Sequence, residues 1–229
     1  MIEGPRQLRT AIDLGAELKE VFFRPDQNQI LDSLKSLEID SYEVDPQVLD
    51  DIADSASPQG VLAVATARET AIESIAEMHR VVVIDSVQDP GNLGAIVRTA
   101  AAAGFDAVVT GPGTADLWST RAIRASAGTL FALHMAKRVD LESSLDLLRV
   151  AGHSVLATDA RGETSVYQVE VEKRMTLVVG SEAHGLSETI IDRTDAMIRV
   201  PMGPLVESLN VAVATGIVMY RMQEEGQDE

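Results

Sequence analysis

The sequence predicts an α/β protein built on a mostly parallel sheet, and three observations carry that prediction. Short β-branched runs recur between residues 80 and 200. Segments with helical spacing of apolar residues separate them. The runs are apolar throughout rather than alternating, as strands covered on both faces are.

In chain order, residues 1–66 read as a small α/β unit. Gly4-Pro5 precedes a helical run with Leu8, Ala11, Ile12 and Leu14 apolar, and Val21-Phe22-Phe23 is a short strand ended by Arg24-Pro25-Asp26. Ile30, Leu31, Leu34 and Leu37 mark a second helix, and Tyr42-Glu43-Val44 is strand-like. Asp45-Pro46 opens a third helix, with Asp45 as N-cap and Pro46 at the first helical position. The turn Ser57-Pro58-Gln59-Gly60 leads into a strand at Val61–Ala65. Residues 67–79, with Ala71, Ile72, Ile75 and Ala76 apolar, read as a connecting helix. From Arg80 the pattern is βα alternation through residue 229, with strands expected at Val81–Asp85, Ala107–Thr110, Phe131–Ala136, Ser154–Thr158, Thr176–Gly180 and Ala196–Val200. The last and longest helix is expected over Val206–Met222, and the tail Gln223–Glu229 is expected to fray.

Composition narrows the chemistry. The chain has 229 residues and no cysteine, which excludes disulfides, thiolate catalysis and cysteine-ligated zinc. His79, His134, His153 and His184 lack metal-ligand spacing, so no metal is expected. Aromatics are 3%, too few for a base-stacking platform of several rings. No run reaches membrane-spanning length and the first residues lack the pattern of a secretory leader, so a soluble cytoplasmic protein is the expectation. The formal net charge of -17 opposes nucleic-acid binding. Charge is nonetheless uneven: Arg80, Arg98, Arg121, Arg124, Lys137 and Arg138 fall in the central third, which predicts a locally basic cleft on an acidic body.

Three segments couple backbone-permissive residues to a few polar side chains where an apolar run meets a helix. The first is Asp89-Pro90-Gly91-Asn92-Leu93-Gly94-Ala95-Ile96-Val97-Arg98-Thr99-Ala100. It follows a buried strand, a helix is expected from near Gly94, and Arg98 lies one turn further on. Its glycine spacing fits neither a dinucleotide fingerprint nor a P-loop, which removes a nucleotide-dependent oxidoreductase. The second is Gly180-Ser181-Glu182-Ala183-His184-Gly185-Leu186-Ser187, where Gly180 permits close backbone approach. The third runs from Val200-Pro201-Met202-Gly203 to Glu207-Ser208-Leu209-Asn210-Val211. Taken singly, Asn92, Glu182, Ser208 and Asn210 read as helix caps or surface groups, and Arg98 as a solvated charge.

Together these segments resemble the three signature motifs of the SpoU (TrmH) family of SPOUT RNA 2′-O-ribose methyltransferases. Residues 1–66 likewise resemble the L30e-like RNA substrate-binding domain that precedes the catalytic domain in many members, on Glu3-Gly4-Pro5 and Ser57-Pro58-Gln59-Gly60-Val61. The resemblance implies a C-terminal SPOUT domain over residues 80–229 with a deep trefoil knot, a homodimer, and S-adenosylmethionine as methyl donor. It implies catalytic roles for Asn92, Arg98, Glu182, Ser208 and Asn210. It places the cofactor against Thr158, Gly180, Val200, Met202, Ser208 and Leu209, largely through backbone groups. Arg121 and Arg124, in Arg121-Ala122-Ile123-Arg124-Ala125-Ser126-Ala127-Gly128, join Arg98 as RNA contacts, with a solvated structural helix as the competing reading. The front domain favours ribosomal RNA as substrate. A tRNA-directed enzyme and a non-catalytic RNA-binding or ribosome-assembly factor on the same fold are the alternatives.

Overall fold

The computed structural model describes residues 1–34, 37–55, 57–181 and 185–223, the side chains of Leu31 and Ser33 excepted. The elements are β1 (Ile2–Glu3), α1 (Pro5–Asp13), β2 (Leu18–Phe23), α2 (Ile30–Leu34), β3 (Asp40–Glu43), α3 (Pro46–Ile52), β4 (Val61–Ala65), α4 (Ile72–Ile75), β5 (Arg80–Ile84), α5 (Pro90–Ala102), β6 (Ala107–Thr110), α6 (Thr120–Ala125), β7 (His134–Ala136), α7 (Leu141–Val150), β8 (Ser154–Thr158), β9 (Thr164–Ser165), β10 (Met175–Val179), α8 (Glu188–Ile191), β11 (Ala196–Arg199) and α9 (Val211–Arg221).

They form two sheets. The first has four strands in the order β1-β4-β2-β3. Asp45 caps α3 as its side-chain oxygen accepts from the Gln47 amide at 2.9 Å. The second has seven strands in the order β7-β6-β5-β10-β8-β11-β9, and every pairing is parallel. Successive residues along its central strands join different clusters. Val82, Ile84, Leu177 and Val179 belong to one core, and Val81, Val83 and Val178 to the other. That two-sided burial is why the strands are apolar throughout. The first core also takes in Ile2, Leu8 and Phe23, so the small sheet is packed onto the large one. Thr120 at the start of α6 hydrogen-bonds Asp54 across the same junction. Arg80, counted above among the cleft cations, is instead 5% exposed. It donates from Nε to the Met222 carbonyl at 3.0 Å and from Nη1 to the Lys173 carbonyl at 2.9 Å, tying the end of α9 to the base of β5.

Several boundaries differ from the sequence reading, each for a local reason. The helix of the first segment starts at Pro90, not near Gly94, because the Asp89 carboxylate accepts from the Asn92 amide at 2.9 Å. The last helix starts at Val211, not Val206, because Asn210 caps it, and at 11 residues it is shorter than the 13-residue α5. Only His134–Ala136 of the expected strand at 131–136 pairs as a strand. Gly128, left-handed at φ 83°, turns Thr129–Ala132 into a 3-10 helix. The connecting helix is the single turn α4. The two-residue edge strand β9 was not anticipated. The expected frayed tail lies outside the described residues beyond Gln223.

Candidate active site

Parallel strands deliver their carboxyl ends to one edge of the sheet, where α/β proteins bind ligands. There, β8, β11 and the start of α9 enclose a cleft of about 360 Å³ lined by Thr158, Asp159, Ala160, Ile198, Val200, Met202, Ser208, Leu209, Asn210, Val211, Ala214 and Val218. That is within the size range of nucleoside-scale ligand sites. Most of its walls are aliphatic, which suits a flat aromatic base. Asp159 is the one ionisable side chain among these residues.

Thr158, Val200, Met202, Ser208 and Leu209, placed at the cofactor by the sequence reading, all line this cleft. Gly180 does not. A β-carbon on Gly180 would lie 2.6 Å from the Gly185 carbonyl carbon and 2.9 Å from Leu186 Cγ, so the close approach its lack of a side chain allows is by its own chain. Asn210 joins the third segment to the first. Its Oδ1 accepts from the Ala212 and Val213 amides at 2.9 and 3.3 Å, capping α9. Its Nδ2 donates to Asn92 Oδ1 at 2.9 Å. The two asparagines, 118 positions apart in sequence, thus meet beside the cleft, in the first turns of α5 and α9.

Arg98 is not among the residues that line this cleft. It lies six residues beyond Asn92 on α5, which turns it roughly 120° away around the helix. It shares instead the face of Gly94. A β-carbon there would sit 2.5 Å from the Ala122 carbonyl oxygen and 2.5 Å from Ala125 Cβ, so that face packs on α6. The Arg98 side chain is exposed and, among the described residues, has no hydrogen-bond or ion-pair partner. Arg121 and Arg124 are also exposed on α6, and Arg121 reaches the Asp89 carboxylate at 3.4 Å. Among the described residues, no lysine or arginine lines the cleft. Glu182 and His184 lie outside the described residues.

The sequence reading stopped one residue short of Asp159, and also passed over Ala160, Ile198, Val211, Ala214 and Val218. Asp159 follows directly on the last residue of a parallel strand, a positional signal that would have found it.

The chain belongs to the SpoU rRNA Methylase family, which matches residues 79–220. Residues 1–71 match the family described as RNA 2′-O ribose methyltransferase substrate binding. Among individual relatives, the chain is 33% identical over 223 residues to the 23S rRNA (guanosine(2553)-2′-O)-methyltransferase RlmP of Bacillus subtilis, covering 97% of this chain and 88% of that one. It superposes with a TM-score of 0.85 and 30% identity on the AdoMet-bound rRNA methyltransferase from Sinorhizobium meliloti, covering 96% of this chain and 85% of that one. The SpoU methyltransferase AviRb from Streptomyces viridochromogenes, in complex with AdoMet, shares the fold at a TM-score of 0.85 and 23% identity, over 96% of this chain and 87% of that one.

Proposed function

We propose that the protein transfers a methyl group from S-adenosylmethionine to a ribose 2′-hydroxyl of ribosomal RNA, working as a homodimer in the cytoplasm. The observation that carries this reading is the Asn92–Asn210 hydrogen bond at 2.9 Å, which joins the first and third motif segments beside the cleft. The cleft residues Thr158, Val200, Met202, Ser208 and Leu209 hold the cofactor, which supplies a sulfonium methyl group. Residues 1–66 bind the RNA, residues 67–79 link them to the catalytic part, and residues 80–229 form that part.

The protein's own task is to align the acceptor hydroxyl and accommodate the charge it develops. Asn92, Ser208 and Asn210, with Glu182, orient the ribose. Arg98 stabilises the forming alkoxide and grips the adjacent phosphate, with Arg121 and Arg124 as further phosphate contacts. Guanidinium is too strong a cation to act as an ordinary base near neutrality, so the proton leaves late, toward solvent.

Because Arg98 is exposed and does not line its own cleft, we place it in the site of a second copy. The exposed apolar side chains of Leu205, Val206, Leu209 and Val213 supply the dimer surface, on and just before α9. The C-terminal segment is proposed to thread the preceding loops as a trefoil knot, supported by contact of α9 with both α5 and the 3-10 turn Val166–Gln168.

The test is to incubate the protein with labelled S-adenosylmethionine and total RNA from a strain lacking the gene, then map the methylated ribose. Label at a single ribosomal ribose is expected. Label on tRNA redirects the substrate, and cofactor binding without transfer to any RNA favours the non-catalytic reading. Arg98→Ala is expected to lower kcat at least about 100-fold, with Arg98→Lys recovering little because lysine lacks the planar fork. Mixing Arg98→Ala subunits with subunits disabled in the cleft is expected to restore part of the activity if the arginine acts across the dimer.

A further inference from the structure

The one carboxylate among the described residues that line the cleft is held in a built setting. The Asp159 amide donates to the Ile198 carbonyl at 3.0 Å, which fixes the turn after β8 against β11. Arg161 grips the side chain from the solvent side. Its backbone N–H and its Nε donate to Oδ1 at 2.7 and 3.0 Å, and Nη2 donates to Oδ2 at 3.0 Å. The Asp159 side chain is 12% exposed and that of Arg161 is 84% exposed. The Arg161 hydrogen bonds hold the carboxyl below its ordinary range against the opposing effect of burial. Oδ1 carries two of the three bonds, so spare acceptor capacity is concentrated on Oδ2.

We propose that Asp159 is the ribose anchor of the cleft: its Oδ2, oriented by Arg161, accepts hydrogen bonds from the vicinal hydroxyls of the bound nucleoside. The inference rests on reading the cleft as the S-adenosylmethionine site. Of the donors such a ligand offers, the diol fits best. An ammonium group on Asp159 would stand close to the guanidinium already bound to the same carboxylate and be repelled by it. A neutral hydroxyl meets no such repulsion. The aliphatic walls provided by Ile198, Val200, Leu209 and Val218 suit the base, which leaves the carboxylate for the sugar. Carboxylates at strand ends read ribose hydroxyls by the same chemistry in dinucleotide-binding folds.

Calorimetric titration of the full chain tests this with three probes: S-adenosylhomocysteine, 5′-methylthioadenosine, which lacks the amino-acid portion, and the 2′,3′-dideoxy form of the latter. Asp159→Asn is expected to weaken the first two by the same factor, about tenfold or more. The unaltered protein is expected to discriminate against the dideoxy probe, and Asp159→Asn to lose that discrimination. Asp159→Glu, which keeps the charge but displaces it by one methylene, should lose affinity similarly, and unchanged thermal unfolding of the free variants guards against misfolding. Arg161→Ala is expected to weaken binding less and to make it fall away at a higher pH on acidification. If Asp159→Asn binds 5′-methylthioadenosine like the unaltered protein, the anchor is refuted and the cofactor reading stands. A loss confined to S-adenosylhomocysteine assigns the carboxylate to the ammonium and also refutes it. If the unaltered protein binds none of the probes, the cofactor reading falls and takes this inference with it.

Discussion

Asn210 performs two tasks with two different atoms. Its oxygen caps α9 by accepting from two amides, and its nitrogen donates to Asn92. Substitutions can therefore separate stability from function. Asn210→Ala removes both and is expected to cost about 1 kcal/mol of stability, the usual worth of such a cap. Asn210→Asp retains the capping oxygen and removes the donor. It is expected to unfold in urea within about 0.5 kcal/mol of the parent while losing most methyl transfer. Equal loss of stability in the two variants would show that the Asn92 contact matters for folding, not for the reaction.

At the scale of elements, α5 and α6 meet where Gly94 leaves room. In an exposed helix, glycine to alanine stabilises by up to about 1 kcal/mol. Here the added carbon would lie 2.5 Å from the Ala122 carbonyl oxygen and from Ala125 Cβ, both on the packed face of α6. The sign should reverse. Gly94→Ala is expected to cost about 1–3 kcal/mol as the helices are pushed apart, and a melting temperature that rises instead would show that α6 yields freely. Because Arg98 stands one turn further along the same face, loss of RNA methylation should accompany the loss of stability.

Two consequences belong to the whole molecule. His153 lies 4% exposed under the large sheet, its ring nitrogens 3.2 Å from the Ala76 carbonyl oxygen and 2.9 Å from Thr176 Oγ1. Burial, foremost, pushes its pKa below the ordinary 6.5. The folded ring thus stays neutral where the unfolded chain's histidine has already taken up a proton. The unfolded state binds more protons, so stability falls as the pH drops below 6.5 toward the depressed folded value. The contribution approaches about 1.4 kcal/mol per pH unit. Urea unfolding between about pH 7.5 and 5.5 should show this slope and His153→Gln should flatten it; an unchanged slope in the variant would assign the effect elsewhere.

The second consequence concerns RNA. In this chain of net charge -17, the proposed phosphate contacts are three exposed cations, Arg98, Arg121 and Arg124 on α5 and α6. Binding of non-cognate RNA, followed by fluorescence anisotropy, should be weak, with a log–log salt slope no steeper than about 3. A much steeper slope would reveal basic contacts beyond these three.

What could be read from the chain alone were the features set by neighbours in sequence. Buried parallel strands show as unbroken apolar runs because both faces need covering, and Asp45 shows as a cap because its partner amide is two residues away. The motif segments were legible for the same reason, each being a strand end, a turn and a helix start within a dozen residues. Only the tertiary structure decided how those segments face one another. Asn92 meets Asn210 across 118 positions. Gly180 is approached closely by Gly185 and Leu186 of its own chain, and Gly94 turns toward α6, since the phase of a helix is set by what packs on it. Asp159 becomes the cleft's one described charge because β8 and β11 happen to be neighbours in the sheet. Periodicity encodes which face of an element is buried; which partner buries it is settled by packing that no single segment contains.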